Sequence, residues 1–117
     1  MYAMHTHNHI TISGKTIALD DDGFVANPND WSPQVSEYFS VADGVLLTEE
    51  HWQVIQFARD YYRTFGIGPM PKVIVKMLNR QLGYERYSIK MLYSLFRETP
   101  ARRICKYAGT PQPAGCT

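Results

Sequence analysis

The sequence predicts a mainly α-helical domain that opens on a β-hairpin and closes on a flexible C-terminal arm. Three observations carry this. Runs after Thr48, Pro71 and Ser88 repeat apolar residues at three- and four-residue intervals, the period of a helix with one buried face. Before residue 20, Ile10, Ile12, Ile17 and Leu19 alternate with polar neighbours, the period of a strand with one buried face. After residue 108, two prolines and two glycines crowd a short stretch and make a helix there unlikely. The implied division is a disordered N-terminus over residues 1–8, a helical domain over 9–108 and a mobile arm over 109–117.

Taken in order, residues 1–8 are polar, histidine-rich and aperiodic, as expected of an untethered terminus. Ser13-Gly14-Lys15 supplies the hairpin turn between the two alternating runs. Asp20-Asp21-Asp22-Gly23 ends the hairpin; it lacks the spaced ligands and closing glutamate of an EF-hand, so it reads as a solvated turn. Ser32-Pro33 is an N-cap with proline at the first helical position, opening a short helix to about Ala42 that Gly44 ends.

Thr48 caps the strongest helix, with Glu49 and Glu50 where the helix dipole favours anions. Its expected core stripe is Trp52, Ile55, Ala58 or the stem of Arg59, Tyr62 and Phe65, with His51 hydrogen-bonded or exposed rather than a catalytic base. Gly66-Ile67-Gly68-Pro69-Met70-Pro71 is a rigid connection into a helix with Val73, Ile74, Met77, Leu78 and Leu82 inward and Gly83 as its stop. Ser88 caps a helix carrying Ile89, Leu92, Tyr93 and Phe96, and Pro100 begins a last short helix that holds Cys105 and ends near Gly109.

The 117 residues suit one domain with a modest core. With 44% hydrophobic and 13% aromatic residues the composition is that of a soluble globular chain. It has too little apolar continuity for a spanning helix, so direct membrane insertion is not expected. No apolar signal segment opens the chain, and the expectation is a cytoplasmic protein with reduced thiols. Charge is uneven: residues 1–69 hold three basic and nine acidic side chains, residues 70–117 nine basic and two acidic. A net −6 against +7 suggests that the C-terminal half meets an anionic surface or anionic sulfur species; the alternative is a solvated basic face balanced by an acidic half.

Both cysteines lie in the last nineteen residues, Cys105 near the end of the final helix and Cys116 next to the end of the chain. Eleven steps separate them, which span on the order of 35 to 40 Å when extended. The arm can therefore reach out or fold back, with Gly109, Pro111, Pro113 and Gly115 as its candidate hinge. A thiol must be a thiolate to attack, and an unperturbed one of pKa about 8.5 is only slightly ionised at neutral pH. The chain-terminal carboxylate handicaps Cys116 further. Arg102, Arg103 and Lys106 surround Cys105 in sequence and are the candidates for stabilising a thiolate or persulfide; the alternative is that they are ordinary solvated helix charges. Redox-active or sulfur-carrying thiols compete with two other readings. A structural disulfide belongs to secreted proteins, and a zinc site recruiting the cysteines with His5, His7 and His9 lacks paired ligand spacing; no metal and no cofactor are expected.

The run Cys105-Lys106-x-Ala108-Gly109-x-Pro111-x-Pro113-x-Gly115-Cys116 resembles the C-terminal arm of the DsrC/TusE family, small sulfur-carrier proteins of dissimilatory sulfur metabolism and of tRNA thiolation. The similarity continues through Pro100-Ala101, Leu92-Tyr93-Ser94-Leu95-Phe96, Thr48-Glu49-Glu50-His51-Trp52 and Asp30-Trp31, covering nearly the whole chain from about Ile10. Two cysteines in these places resemble the DsrC branch; TusE-type members keep the penultimate one and lack its partner. The resemblance implies a small orthogonal helical bundle with the hairpin and the arm. It also implies that Cys116 carries sulfur and that Cys105 joins it in an intramolecular trisulfide or disulfide.

The partners it implies are the catalytic subunits of dissimilatory sulfite reductase, which the extended arm enters, and a membrane-bound thiol/disulfide electron-transfer complex that reduces the product. In the relay branch they are sulfurtransferases. The chain departs from the family's usual arm at four places: Arg97 stands where proline is common, Thr99 where glycine is, Thr110 where leucine is and Gln112 where lysine is.

A reading from another class is a helix-turn-helix. The two helices around Gly83 carry Lys72, Lys76, Arg80, Arg86, Lys90 and Arg97, and such a module neutralises phosphates while its second helix reads the major groove. That second helix, residues 88–96, offers mainly Lys90, Tyr93 and Ser94 as readers and is expected to serve the core instead. Nucleic acid is therefore not an expected partner. No nucleophile with a paired base, phosphate-cradling loop or metal cage appears, which favours a protein co-substrate over an autonomous enzyme.

Overall fold

The computed structural model describes residues 8–113. A two-stranded antiparallel hairpin, β1 (His9–Ile12) and β2 (Lys15–Ala18), leads through a 3-10 turn at Pro28–Asp30 into five helices. These are α1 (Pro33–Ala42), α2 (Glu49–Phe65), α3 (Pro71–Leu82), α4 (Ile89–Phe96) and α5 (Pro100–Ala108). The mainly helical domain with an N-terminal hairpin is as the sequence predicts. Among the described residues, no helix is long and apolar enough to cross a membrane.

The hairpin register pairs Ile10 with Ile17 and Ile12 with Lys15. Ser13 and Gly14 both take positive φ in the two-residue turn, the backbone that matches strand twist. Ile10 and Ile17 are thereby on one buried face. Asn8, assigned to the disordered terminus, is already tied: its carbonyl accepts from the Leu19 amide at 2.7 Å. The expectation for residues 1–7 lies outside the described residues. The aspartate turn closes on itself, with Asp20 Oδ1 accepting from the amides of Asp22 and Phe24, both at 2.9 Å.

The helices start where their signals place them, although the Ser32 side chain makes no cap bond at α1 and α2 uses a substitution of chemistry. At α2, His51 takes the place that glutamate or glutamine fills in a capping box: its Nδ1 accepts from the Thr48 amide at 3.0 Å. The proton is therefore on Nε2, which donates to the Leu95 carbonyl at 2.6 Å. This buried histidine joins α2 to α4 as a structural group.

The expected stripe on α2 holds at Ile55 and Ala58 and fails toward both ends. Val54, Ile55, Phe57 and Ala58 are buried with His51, whereas Trp52 and Tyr62 are half-buried and Phe65 is 55% exposed. The reason is that α2 packs against α3, α4 and α5, so it buries a broad arc in its middle and runs beyond the core at its end. On α3, Ile74 and Leu78 are buried and Leu82 is outside. On α4 only Leu92 and Phe96 are buried, while Ile89 and Tyr93 face outward, so this helix serves the core less than expected.

The last helix, only nine residues long, lies at the centre. Six of the nine residues of α5 are buried: Pro100, Ala101, Ile104, Cys105, Tyr107 and Ala108. It packs against α1, α2 and α4, and its two apolar arcs leave Arg102 at the surface. The core thus condenses around the helix that bears the inner cysteine.

Candidate functional site

Cys105 sits on the inward side of α5 with no exposed surface. Its sulfur is 4.0 Å from the Pro69 carbonyl. Burial pushes the thiol up to about 11, against a small opposing effect of the Thr110 hydroxyl. On the order of one molecule in ten thousand is then a thiolate at neutral pH.

The arm's first residues lie over this sulfur. Gly109 ends α5 at φ +69°, the left-handed cap that glycine adopts without steric cost. A Cβ there would stand 2.7 Å from Trp31 Cδ1. Thr110 is buried; its amide donates to the Cys105 carbonyl at 3.1 Å and its hydroxyl to the Pro111 carbonyl at 3.0 Å. Pro113 pairs in parallel with Gly68. A Cβ on Gly68 would lie 2.7 Å from Cys105 Sγ and 2.8 Å from the Pro111 carbonyl, so the sulfur, the loop before α3 and the arm backbone meet where only a glycine fits. Residues 109–113, assigned to the mobile arm, are seated on the body in this structure.

Gln112 fastens the seat. Its Oε1 accepts from Arg102 Nη1 at 2.8 Å, and its Nε2 donates to Asp22 Oδ2 at 2.6 Å. Cys116 and Gly115 lie outside the described residues, so the pairing of the two thiols is not part of the described geometry.

The three cations expected around Cys105 are engaged elsewhere. Arg102 holds Gln112 and lies 5.2 Å over the Phe24 ring. Arg103 donates to the Phe96 carbonyl at 3.0 Å and stands 3.7 Å from Asp43. Lys106 is 5.2 Å from the Phe39 ring centre. None is bonded to the sulfur in this state, because a helix turns 100° per residue and Cys105 faces inward between them.

Three groups escaped sequence reasoning. Trp31 Nε1 donates to the Tyr107 carbonyl at 2.8 Å, Arg59 Nη1 donates to the Ala108 carbonyl at 2.9 Å, and the Arg59 guanidinium lies 4.1 Å over the Trp31 ring. They hold the end of α5, where the arm departs. Gly68 is the third; its only signal was being the second glycine of a rigid connection.

A cavity of about 700 Å³ lies between α3 and the start of α4 and is lined by Lys72, Lys76, Asn79, Arg80, Tyr84 and Glu85. Asn79 is committed to structure, bonding the backbone of Arg86 and Tyr87. Among the described residues, Lys72, Lys76 and Arg80 form no ion pair, and no group of three or more His, Cys, Asp or Glu side chains is placed to hold a metal.

A buried cysteine on a central helix, covered by the start of a proline-rich tail, defines a small helical thiol protein. Comparison with known proteins gives its lineage. Residues 11–117 match the family described as DsrC like protein. The chain is 36% identical over 108 residues to the dissimilatory-type sulfite reductase subunit gamma of Nitratidesulfovibrio vulgaris, covering 92% of this chain and 96% of that one. It is 34% identical over 107 residues to the sulfurtransferase TusE of Pectobacterium atrosepticum, covering 92% and 98%.

Among solved structures it is similar to Allochromatium vinosum DsrC, with a TM-score of 0.84 and 42% identity over 94% of this chain and 98% of that one. It is also similar to the oxidised gamma subunit of dissimilatory sulfite reductase from Archaeoglobus fulgidus, with a TM-score of 0.78 and 32% identity over 93% and 99%. The chain belongs to the DsrC/TusE family.

Proposed function

We propose that this protein is a two-thiol sulfur carrier of dissimilatory sulfur metabolism and a co-substrate of dissimilatory sulfite reductase. Cys116 accepts sulfur and Cys105 resolves it. The observation that supports this most is the seat of Cys105: its sulfur and the Pro111 carbonyl of the strap that leads to Cys116 crowd the same bare face of Gly68. A purely structural thiol would not need the departing arm laid across it.

The chemistry balances in two ways. If Cys116 carries a persulfide, attack of the Cys105 thiolate on its inner sulfur forms a disulfide and expels hydrosulfide, with no external electrons. If both thiols bridge one sulfur as a trisulfide, sulfite takes four electrons, two from the paired cysteines and two from the external reductant of the sulfite reductase, and its three oxygens leave as water. A membrane-bound thiol/disulfide electron-transfer complex then returns the carrier to its dithiol form. Arg102, tied to the strap through Gln112, is proposed to turn toward the emerging thiolate once that bond opens, with Lys106 and Arg103 adding positive charge from the same helix.

A second reading has its own observation. Complete burial of Cys105 and its raised pKa suit a relay that uses Cys116 alone and passes sulfur between sulfurtransferases. Single-turnover sulfur transfer by Cys105→Ala and Cys116→Ala decides between them. The two-thiol carrier requires that both variants fail to close the cycle, with Cys105→Ala halting at a Cys116-bound sulfur. Full-rate transfer by Cys105→Ala establishes the relay instead.

A further inference from the structure

We propose that Gly68 and Gln112 are positioning residues that hold the strap of residues 110–113 over the sulfur of Cys105, so that the inner thiol reacts only when the strap lifts. Its consequence for sulfur transfer rests on the two-thiol reading above; the concealment itself does not.

Gly68 sets the fit. A Cβ built on Gly68 would stand 2.7 Å from the Cys105 sulfur and 2.8 Å from the Pro111 carbonyl, both well inside van der Waals contact, so the sulfur and the strap backbone converge on the bare face of this glycine. The strap's far end is fixed by the pairing of Pro113 with Gly68. From Pro113 only three residue steps remain to Cys116, a reach of roughly 10 Å, and the sulfur it must meet has no exposed surface. Something covering that sulfur has to move, and the strap is the element without a helix or strand of its own.

Gln112 sets how readily it moves. Its amide oxygen takes a hydrogen bond from a guanidinium on α5 while its amide nitrogen gives one to a carboxylate beyond β2. A lysine could serve Asp22 but not Arg102; a glutamate could serve Arg102 but would repel Asp22. Both bonds are exposed, so the latch is weak enough to open without unfolding the domain. Opening it does two things in one motion: it uncovers Cys105 and lengthens the free tether of Cys116.

The test is alkylation of Cys105 by iodoacetamide in the folded protein, in a Cys116→Ser background, followed by intact mass. Labelling of this parent is expected to be far slower than that of an unfolded thiol. Gln112→Ala and Asp22→Ala are expected to label roughly three- to tenfold faster, and Gly68→Ala at least about tenfold faster, since its Cβ cannot share the space. Asp22→Asn, which keeps an oxygen to accept from Gln112, is expected to label like the parent.

Urea unfolding of each variant separates strap opening from loss of the fold: the Gln112 and Asp22 variants should keep the parent's stability while labelling faster. The proposal is overturned if the parent labels at the rate of a free thiol. It is equally overturned if Gln112→Ala and Asp22→Ala label no faster, or if Asp22→Asn behaves like Asp22→Ala. No sulfur donor is involved, so failure here leaves sulfur carriage untouched, and failure of sulfur acceptance at Cys116 leaves the labelling result standing.

Discussion

The Trp31 indole and the Tyr107 carbonyl, 76 residues apart in sequence, share a hydrogen bond of 2.8 Å. Ser36 donates to the same carbonyl at 2.5 Å and Arg59 to the next one at 2.9 Å. A helix leaves its last carbonyls without internal partners, and at α5 these three side chains supply them from outside. The point where the arm leaves the domain is thereby fixed by groups on α1, α2 and the loop before them.

Removing Arg59 tests this clamp. Burial lowers the guanidinium's pKa somewhat, yet it remains charged. Arg59→Ala leaves the Ala108 carbonyl without its donor and the Trp31 ring without its cation. Urea denaturation should show a loss of roughly 1.5 to 3 kcal/mol. Arg59→Lys should restore only part of it, because an ammonium cannot both stack on the ring and aim a fixed donor at the carbonyl.

Thr99 holds φ at +49°, a left-handed conformation that a β-branched residue adopts at a cost of about 1 to 2 kcal/mol. The family resemblance places glycine there, and the backbone explains that preference. Thr99→Gly should raise stability by about 0.5 to 1 kcal/mol, measured as an upward shift in Tm, after allowance for glycine's extra freedom when unfolded. Arg97 is different: at φ +66° it occupies a conformation closed to the proline common at that place, so the turn before α5 takes its own path in this chain.

Much of this fold is legible in the sequence because its signals are local. Ser88 caps α4 through its own side chain, accepting from the Met91 amide, and Gly83 and Gly109 stop α3 and α5 at positive φ. What stayed illegible depends on long-range packing. The buried arc of α2 is set by three partner helices, which shifts it away from Trp52 and Phe65 toward Val54 and Phe57. The cations beside Cys105 in sequence point elsewhere in space, because α5 is central and its thiol faces inward. Gln112 looked like a lost charge; only the fold brings it between Arg102 and Asp22.

The raised pKa of Cys105 fixes a pH dependence. The folded thiol titrates near 11 and an unfolded one near about 8.5. Between those values the unfolded chain binds fewer protons, so the stabilisation from keeping this thiol buried and neutral is whole below about 8.5 and fades as pH rises toward 11. Under reducing conditions the stability gap between the wild-type chain and Cys105→Ala should therefore shift by up to about 1.4 kcal/mol per pH unit across that window, against the wild type. A gap constant from pH 7.5 to 10.5 would show the thiol to be solvated.

Lys72, Lys76 and Arg80 recur at four-residue intervals along α3, which begins just beyond the Gly68 seat of the arm. Without ion-pair partners among the described residues, they suit an anionic rim on the proposed sulfite reductase partner. The double variant Lys72→Glu/Lys76→Glu should slow association with dissimilatory sulfite reductase by about tenfold at low salt, the difference shrinking at high salt. A gel-shift titration with duplex DNA gives the competing outcome: tight, salt-sensitive binding lost in the same variant would assign the stripe to nucleic acid.

The most direct test of two-thiol sulfur carriage is the intact mass of the wild-type protein after turnover with dissimilatory sulfite reductase, sulfite and a limiting reductant. The account predicts a product heavier by one sulfur and lighter by two hydrogens, whose fragments show that sulfur bridging Cys105 and Cys116. A protein that emerges from turnover with its mass unchanged, or with sulfur on Cys116 while Cys105 remains a free thiol, contradicts it.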